Sequence, residues 1–352
     1  MPFKDALAHF KAQIKDLQQE GQKILSGGGG QQQQQQHYPP PQQQYPGAQH
    51  QHQQPPPPIP QATRPNQQQY QPQFHPPQQG QGQQPFPPQQ PTTYWQARLD
   101  PGLPVSAEWE HKLGNNNGWG NNEVEHYTAE GENSFFTPNN LLVLRAISSP
   151  NHPDAAKKYT SARLVSRQRL SRPRGSLVAT LTLPCAAGIW PAFWLLPYEP
   201  FAWPTDGEVD IAETWNGDGV NHSCLHWGFY TPQDTNKHRV VATPVSGMAT
   251  GRPVRFEFAW MQDPGTRQGR LLWWIDGQAV MKAPIPQGTR PMADFVVLLN
   301  VAMGGNVCAG QLPREGAYDM VVHEMKMMEE PEAGGWARFE RDWSWVRKGN
   351  MI

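Results

Sequence analysis

The stretch from Gly27 to Pro91 constrains the fold most, because it removes a long piece of the chain from any packed core. It consists of Gly, Gln and Pro with scattered Tyr and His and almost no aliphatic side chains. Such a composition buries too little apolar surface to offset the entropy lost when a backbone is ordered. We therefore expect a disordered linker over residues 27–93. A scaffold for weak multivalent contacts is the alternative interpretation of this segment.

Residues 1–26 form a separate segment with the pattern of a short amphipathic helix. Its apolar residues are spaced four and three apart, as in a heptad stripe, at Phe3, Leu7, Phe10, Ile14 and Leu17. The stripe is shorter than the three or four heptads of a stable coiled coil. Three interpretations stay open: self-association or protein contact through residues 3–25, peripheral membrane contact, and a largely unfolded tail.

Charge and cysteine usage exclude several classes of protein. The 352 residues carry a net charge of -1, so no basic surface argues for a nucleic-acid partner. The N-terminus lacks the apolar core of a secretory signal, and no apolar run is long enough to cross a membrane. The three cysteines, Cys185, Cys224 and Cys308, are far apart, which argues against a disulfide framework and a zinc site. We expect no cofactor, no metal, and a protein that is intracellular or secreted by an unconventional route.

From Trp95 onward, short apolar runs alternate with turn residues, which is typical of an all-β fold. The dipeptide Asp276-Gly277 is a hairpin-turn signal between two such runs. Residues 94–330 are therefore predicted to form one folded domain, followed by an aromatic and charged tail at 331–352 that packs back onto it. The clearest strand predictions are residues 141–147, 175–183, 254–260, 271–275, 295–301 and 320–327.

Three carboxylates lie within six residues of one strand-like run, Glu208-Val-Asp-Ile-Ala-Glu213. On a regular strand Glu208 and Asp210 share one face, whereas Glu213 points to the other. A β-bulge between Asp210 and Glu213 would bring all three acids to one face, and bulges are frequent beside active sites. Two carboxylates facing a glycosidic bond are the minimum apparatus for its hydrolysis. A third negative charge between them raises the pKa of a neighbour or shares a proton with it.

Five ordered motifs surround and include this run, and together they resemble glycoside hydrolase family 16, in particular its laminarinase-like branch. The motifs are Gly118–Thr128, Tyr159–Leu164, Gly188–Leu196, Glu208–Glu213 and Asn300–Gly305. The resemblance covers roughly residues 95 to 330. The E-x-D-x-x-E spacing, with its bulge, is the spacing of the laminarinase-like members.

This resemblance implies a concanavalin A-like jelly-roll β-sandwich of two curved antiparallel sheets, with a substrate groove on the concave face. It also implies a retaining mechanism, in which Glu208 is the nucleophile, Asp210 the assisting acid and Glu213 the general acid/base. The partner implied is a β-glucan polysaccharide.

A glucan groove needs flat aromatic surfaces with polar groups at their edges, because a sugar ring has apolar faces and a hydroxyl rim. Each candidate residue also has an alternative role outside substrate binding. A tryptophan can instead lie in the core, His226 can make a purely structural hydrogen bond, and Glu123 can cap an entry loop. Arg163 is expected to brace the cleft by an ion pair with a carboxylate. The candidate substrate-binding residues are Trp119, Trp194, Trp215, His226, Asn300, Arg163 and Glu123.

The function that these residues and the resemblance together predict is a retaining endo-β-glucanase that hydrolyses β-1,3 or mixed β-1,3/1,4 bonds. A transglycosylase that remodels cell-wall glucan would use the same residues. A non-catalytic glucan-binding protein on the same fold, and an intracellular scaffold with a vestigial domain, are the remaining alternatives.

Overall fold

The computed structural model describes residues 92–229 and 238–351, so the predicted helix at 1–26 and nearly all of the predicted linker at 27–93 lie outside the described residues. The described residues form eighteen strands and one α-helix. The elements are β1 Thr93–Gln96, β2 Trp109–Lys112, β3 His126–Tyr127, β4 Ser134–Phe136, β5 Leu142–Ser148, β6 Tyr159–Ser161, β7 Arg163–Arg169, β8 Arg174–Thr182, β9 Ile189–Pro197, β10 Glu208–Glu213, β11 Val220–His226, β12 His238–Pro244, β13 Val254–Gln262, β14 Gly269–Ile275, β15 Gln278–Pro284, β16 Phe295–Met303, β17 Gly316–Met328, α1 Gly335–Trp345 and β18 Asn350–Met351.

The strands form two sheets. The first contains the path β15-β14-β13-β8-β17-β5-β6-β3, with β1 beside β17 and β4 beside β5. The second has the order β18-β12-β11-β10-β9-β16-β7-β2. The strands pair antiparallel except β3 and β6, which run parallel. The carboxylate run is β10, which lies between β11 and β9 in the middle of the second sheet.

The core lies between the two sheets and is filled by alternate residues of their strands. On β9, Ile189, Phe193 and Leu195 point into this core, whereas Trp190 and Trp194 are only half-buried and lie on the opposite face. This period of two is what a pleated strand imposes. The second sheet therefore presents one apolar face to the core and one outer face, rich in aromatic and polar residues, to the site described below.

The strand predictions agree with the structure. The six predicted runs correspond to β5, β8, β13, β14, β16 and β17, and the expected all-β sandwich is confirmed. Asp276 and Gly277 both have positive φ angles, 48° and 78°, as a two-residue type I′ hairpin turn requires. β1 begins at Thr93, the last residue assigned to the linker. Within the described part of the chain, no helix is both long and apolar enough to cross a membrane.

The end of the C-terminal tail forms β18 beside β12 of the second sheet, and most of the tail forms α1, which packs on the outer face of the first sheet. Phe339 is fully buried there beside Trp274. Arg338 donates a hydrogen bond of 2.7 Å to Glu257 on β13, and Trp274 Nε1 donates one of 2.8 Å to Asp342. The side chains of Arg338, Glu257 and Asp342 are almost completely buried. Helix α1 is thus held by apolar packing and by a buried charge network.

Replacing Arg338 by Met should lower the free energy of unfolding by about 3–5 kcal/mol, because the buried Glu257 carboxylate would lose its guanidinium partner. Urea denaturation of the full chain, followed by Trp fluorescence, measures this change. Arg341→Met is the matched control: the Arg341 side chain is 69% exposed in its pair with Asp342, so its loss should cost less than about 1 kcal/mol. Equal losses in the two variants would contradict the role given to the buried pair.

Candidate active site

The predicted bulge is present in β10. Asp210 lies opposite Trp194 on β9, but Ala212 lies opposite Phe193, the next residue along, so β10 contains one extra residue at this point. Ile211 and Ala212 are both buried in the core. After the bulge Glu213 returns to the face that carries Asp210, which is the effect expected of an inserted residue. The three acids Glu208, Asp210 and Glu213 therefore share the outer face of the second sheet.

Glu208 stands at the start of β10 and is partly exposed. Trp203, five residues earlier, donates its indole N–H to Glu208 Oε2 at 2.5 Å. Burial among neighbouring side chains and the negative charge of Asp210 raise the pKa of Glu208 to about 8, against smaller opposing effects of His226, Trp203 and Arg163. Glu208 therefore exchanges its proton near neutral pH rather than in the usual carboxylate range.

Glu213 lies at the other end of β10 and is buried. Its two carboxylate oxygens accept hydrogen bonds from two indoles: Trp190 Nε1 to Oε1 and Trp215 Nε1 to Oε2, each at 3.1 Å. Burial and the negative charges of Asp210 and Glu208 raise the pKa of Glu213 well above its ordinary value, although the two indole N–H groups act in the opposite direction. Glu213 is therefore suited to hold a proton at neutral pH, in a fixed orientation.

Asp210, between the two outer acids, contacts His226, which in turn contacts His238. His226 Nε2 lies 3.0 Å from Asp210 Oδ2, and the Nδ1 atoms of His226 and His238 are 2.5 Å apart. Burial alone would lower the pKa of His226, but its contact with Asp210 and the charges of Asp210 and Glu208 raise it overall. Burial and the charge of His226 lower the pKa of His238 to about 3. The raised pKa favours the charged form of His226 next to Asp210, and in that form His226 Nδ1 donates its hydrogen bond to His238.

Asp210, Cys224 and His226 place their ligand atoms within 4.8 Å of one another, the kind of cluster that can hold a metal ion. Burial and the nearby carboxylates, however, raise the pKa of Cys224 well above its usual value. Metals bind the thiolate rather than the thiol, and His226 is already directed at Asp210. These residues therefore fit an electrostatic role around Asp210 better than a metal centre.

A chain of hydrogen bonds runs from Trp194 away from the acids. Trp194 Nε1 donates to Asn300 Oδ1 at 2.7 Å, Asn300 Nδ2 donates to the Tyr127 hydroxyl at 3.2 Å, and that hydroxyl donates to Glu123 Oε2 at 3.3 Å. Glu123 and Asn300 are buried. Of the predicted substrate-binding residues, Glu123 and Asn300 thus orient other side chains, and Trp194 presents its ring beside Asp210 on the outer face.

Arg163 differs from its expected arrangement. Its guanidinium lies over the rings of Trp119 and Trp194, 4.4 Å and 4.8 Å from their centroids. No ion pair between Arg163 and a carboxylate occurs among residues 92–229 and 238–351. The expected ion pair is therefore replaced by cation–π stacking, which suits a guanidinium because it is planar and weakly hydrated. Arg163 still braces the cleft, by joining two aromatic rings.

The candidate residues thus fall into two groups on one face. The first group contacts the acids directly and consists of Trp215 and His226. The second group is connected by hydrogen bonds and cation–π contacts and consists of Trp194, Asn300, Arg163, Trp119 and Glu123. Their roles in substrate binding stay predictions.

The sequence predicts no site role for His238 or Trp203. Trp190 lies in the motif Gly188–Leu196, where a tryptophan is expected either in the core or in the groove. His238 lies directly opposite His226 in the β11–β12 pair, but the residues between these strands hide that register in the sequence. The aromatic residues that flank the carboxylate run were the one available signal for Trp203.

Comparison with known proteins places these residues in a family context. A family model described as the XgeA-like catalytic GH16 domain matches residues 115–251. A beta-glucanase from Rhodothermus marinus is 30% identical over 227 residues, which are 60% of this chain and 75% of the relative. A glucan endo-1,3-beta-glucosidase A1 from Niallia circulans is 24% identical over 242 residues, 62% of this chain but only 35% of the relative.

Among solved structures, the laminarinase catalytic domain from Thermotoga maritima MSB8 is similar with a TM-score of 0.57 and 25% identity. The match covers 69% of this chain and 100% of that domain. It confirms the expected jelly-roll sandwich.

Replacing Asp210 by Asn should lower the pKa of both Glu208 and Glu213, because the negative charge of Asp210 raises each of them. ¹³C NMR titration of protein labelled at the Glu side-chain carboxyl measures both values. In the native protein Glu208 should titrate near pH 8, and in the variant at lower pH. Asp319→Asn, on the other sheet beside Arg145, is the control and should leave both titrations in place. Unchanged titrations in Asp210→Asn would contradict the electrostatic coupling.

Proposed function

The chain belongs to glycoside hydrolase family 16, and from this membership we propose that it is a retaining endo-β-glucanase acting on β-1,3 or mixed β-1,3/1,4 glucosidic bonds. The predictions of the family and of a glycoside hydrolase are confirmed. The linkage is suggested by similarity to proteins described as a beta-glucanase, a glucan endo-1,3-beta-glucosidase and a laminarinase. The observation that carries the mechanism is the bulge that puts Glu208 and Glu213 on one face, on either side of Asp210.

In the first step, the Glu208 carboxylate attacks the anomeric carbon while Glu213 donates its proton to the departing glycosidic oxygen. The Trp203 hydrogen bond occupies Glu208 Oε2, which leaves Oε1 for the attack. The bond between carbon and the leaving oxygen breaks, and a covalent glycosyl ester of Glu208 forms. The high pKa of Glu213 supports its role as the acid, because a general acid must hold its proton at the working pH.

In the second step, Glu213 is ionised and removes a proton from a water molecule, which attacks the anomeric carbon and releases Glu208. The product keeps the β configuration, since two inversions occur at the same carbon. Asp210 and His226 act on Glu208 through charge: Asp210 favours the protonated form of Glu208 and His226 favours the ionised form. Burial and Asp210 raise the pKa of Glu208 to about 8, against the smaller effect of His226. Glu208 is therefore a basic nucleophile in the fraction of molecules in which it is ionised.

The aromatic residues on the same face support a polysaccharide as substrate. Trp194 and Trp119, joined by Arg163, offer flat apolar surfaces beside polar groups, which suit the faces and hydroxyl rims of glucose units. Trp215 and Trp203 add rings at Glu213 and Glu208. Trp194 lies on the outer face of the second sheet, and the other rings contact Arg163, Glu208 and Glu213, which gives a polysaccharide several aromatic contacts near the acids.

The full chain should release reducing sugar from laminarin, and Glu208→Gln should reduce the rate at least about 1000-fold because the nucleophile is lost. Lichenan and xyloglucan, assayed in parallel, distinguish the linkage. Glu315→Gln, at an exposed loop position just before β17, is the matched control and should keep full activity.

Separating the products by size distinguishes the alternatives. Products shorter than the starting oligosaccharide support hydrolysis, whereas longer ones indicate a transglycosylase. A folded chain that binds laminarin but cleaves none of the three polysaccharides would contradict the proposal and favour a glucan-binding protein. NMR of the first product should show the β anomer; an initial α anomer would contradict retention.

A further inference from the structure

Trp215, which holds Glu213, is itself held from behind by a histidine. The rings of Trp215 and His222 are stacked, with centroids 3.6 Å apart and planes 5° from parallel. His222 lies on β11, where Cys224 and His226 face Asp210 and Glu208 across the strand pair. Since side chains two residues apart share a face, His222 lies on the same face as the acids. His222 is buried, so its contacts are with other residues of the protein rather than with solvent.

The stacked histidine is fixed by a carboxylate. His222 Nε2 lies 2.6 Å from Asp218 Oδ2, and because a carboxylate only accepts, Nε2 carries the donated proton. The other oxygen of Asp218 accepts the backbone N–H groups of Trp215 and Val220, at 3.3 Å and 3.1 Å. One carboxylate therefore fixes both the backbone of Trp215 and the ring stacked on its indole.

We propose that His222, held by Asp218, is a positioning residue that aims the Trp215 indole N–H at Glu213 and so sets the orientation of the general acid/base. This inference rests on the proposed role of Glu213. The connection runs Asp218, His222, Trp215, Glu213, with a hydrogen bond at each end and a ring stack between.

The stack limits rotation of the indole, and rotation is what would break its hydrogen bond. Trp215 is only half-buried, so the neighbouring core does not enclose its ring. A parallel ring at 3.6 Å prevents the indole from tilting toward that side. Without it, Glu213 keeps the Trp190 hydrogen bond to Oε1 but loses the fixed donor at Oε2. The carboxyl can then turn about one remaining contact, and its proton is presented to the glycosidic oxygen less often.

The decrease in activity caused by a misoriented Glu213 depends on the leaving group of the substrate. A glucosyl leaving group needs protonation by Glu213, whereas 2,4-dinitrophenolate departs without it. We expect His222→Ala to lower kcat/KM on a glucan oligosaccharide by about 10- to 100-fold, a part of the 10²–10⁴-fold that acid catalysis contributes. On the 2,4-dinitrophenyl β-glycoside of the same sugar, kcat/KM should change less than about threefold. A merely structural role would lower both values together.

Two further variants separate the parts of the arrangement. His222→Phe keeps the stacked ring but loses the hydrogen bond to Asp218. Its kcat/KM on the oligosaccharide should therefore lie between the values of the native protein and His222→Ala. Trp215→Phe keeps a ring but removes the N–H donor to Glu213, and it should reproduce the leaving-group dependence even where His222→Ala fails to fold. His323→Ala, at a half-buried histidine on the first sheet that contacts Thr182, is the control and should match the native protein on both substrates.

The variant Glu213→Gln distinguishes failure of the positioning role of His222 from failure of the proposed function. Glu213→Gln should show a large leaving-group dependence and should regain activity on the dinitrophenyl substrate with added azide, forming a β-glycosyl azide. If Glu213→Gln lacks this behaviour, the acid/base assignment itself is wrong. The other result is that Glu213→Gln behaves as expected while folded His222→Ala and Trp215→Phe show equal decreases in kcat/KM on both substrates, or no decrease on either. That result would overturn the positioning role of His222.

Discussion

The whole site depends on the alternation of side chains along a β-strand and on the single residue that interrupts it in β10. A regular strand would send Glu213 into the apolar core, where an unpaired carboxyl is costly. The bulge between Asp210 and Ala212 instead buries Ile211 and Ala212 and returns Glu213 to the outer face. One inserted residue thus keeps Glu213 out of the apolar core and brings the three acids to one face. The neighbouring strands then supply the groups that surround them, from β9 on one side and β11 on the other.

Three acids on one short strand are electrostatically unfavourable, and the surrounding residues determine which of them holds a proton. Indole N–H groups from Trp190, Trp203 and Trp215 donate to the outer two acids, so those carboxyls are oriented by neutral donors rather than by cations. A lysine or arginine in their place would lower the pKa values of the acids and remove the proton that general acid catalysis requires. The raised pKa of His226 instead favours a positive charge next to Asp210. Burial and Asp210 therefore keep the pKa values of the outer acids high.

Features that depend on local periodicity could be predicted from the sequence. The strands of the two sheets follow from alternating apolar residues, and the Asp276-Gly277 turn follows from its backbone preference. The bulge could be predicted because three acids at positions 208, 210 and 213 share a face in no other way.

Contacts between distant parts of the chain could not be predicted. The pairing of His226 with His238 depends on the register of β11 and β12, and the stacking of His222 on Trp215 depends on the turn fixed by Asp218. Arg163 shows the same limit: its charge suggested an ion pair, but its actual neighbours, Trp119 and Trp194, come from separate segments and offer rings.

In the proposed mechanism, Glu208 forms a covalent bond to the sugar while Glu213 faces it across the bulge. Trapping that intermediate tests it most directly. A 2-deoxy-2-fluoro-laminaribiosyl fluoride slows both chemical steps, and its fluoride departs without an acid, so the glycosyl-enzyme should accumulate. Peptide mass spectrometry should then find one added 2-deoxy-2-fluoro-laminaribiosyl group on Glu208. A label on Glu213 or on another residue, or turnover of laminarin to the inverted product with no label at all, would contradict the assignment.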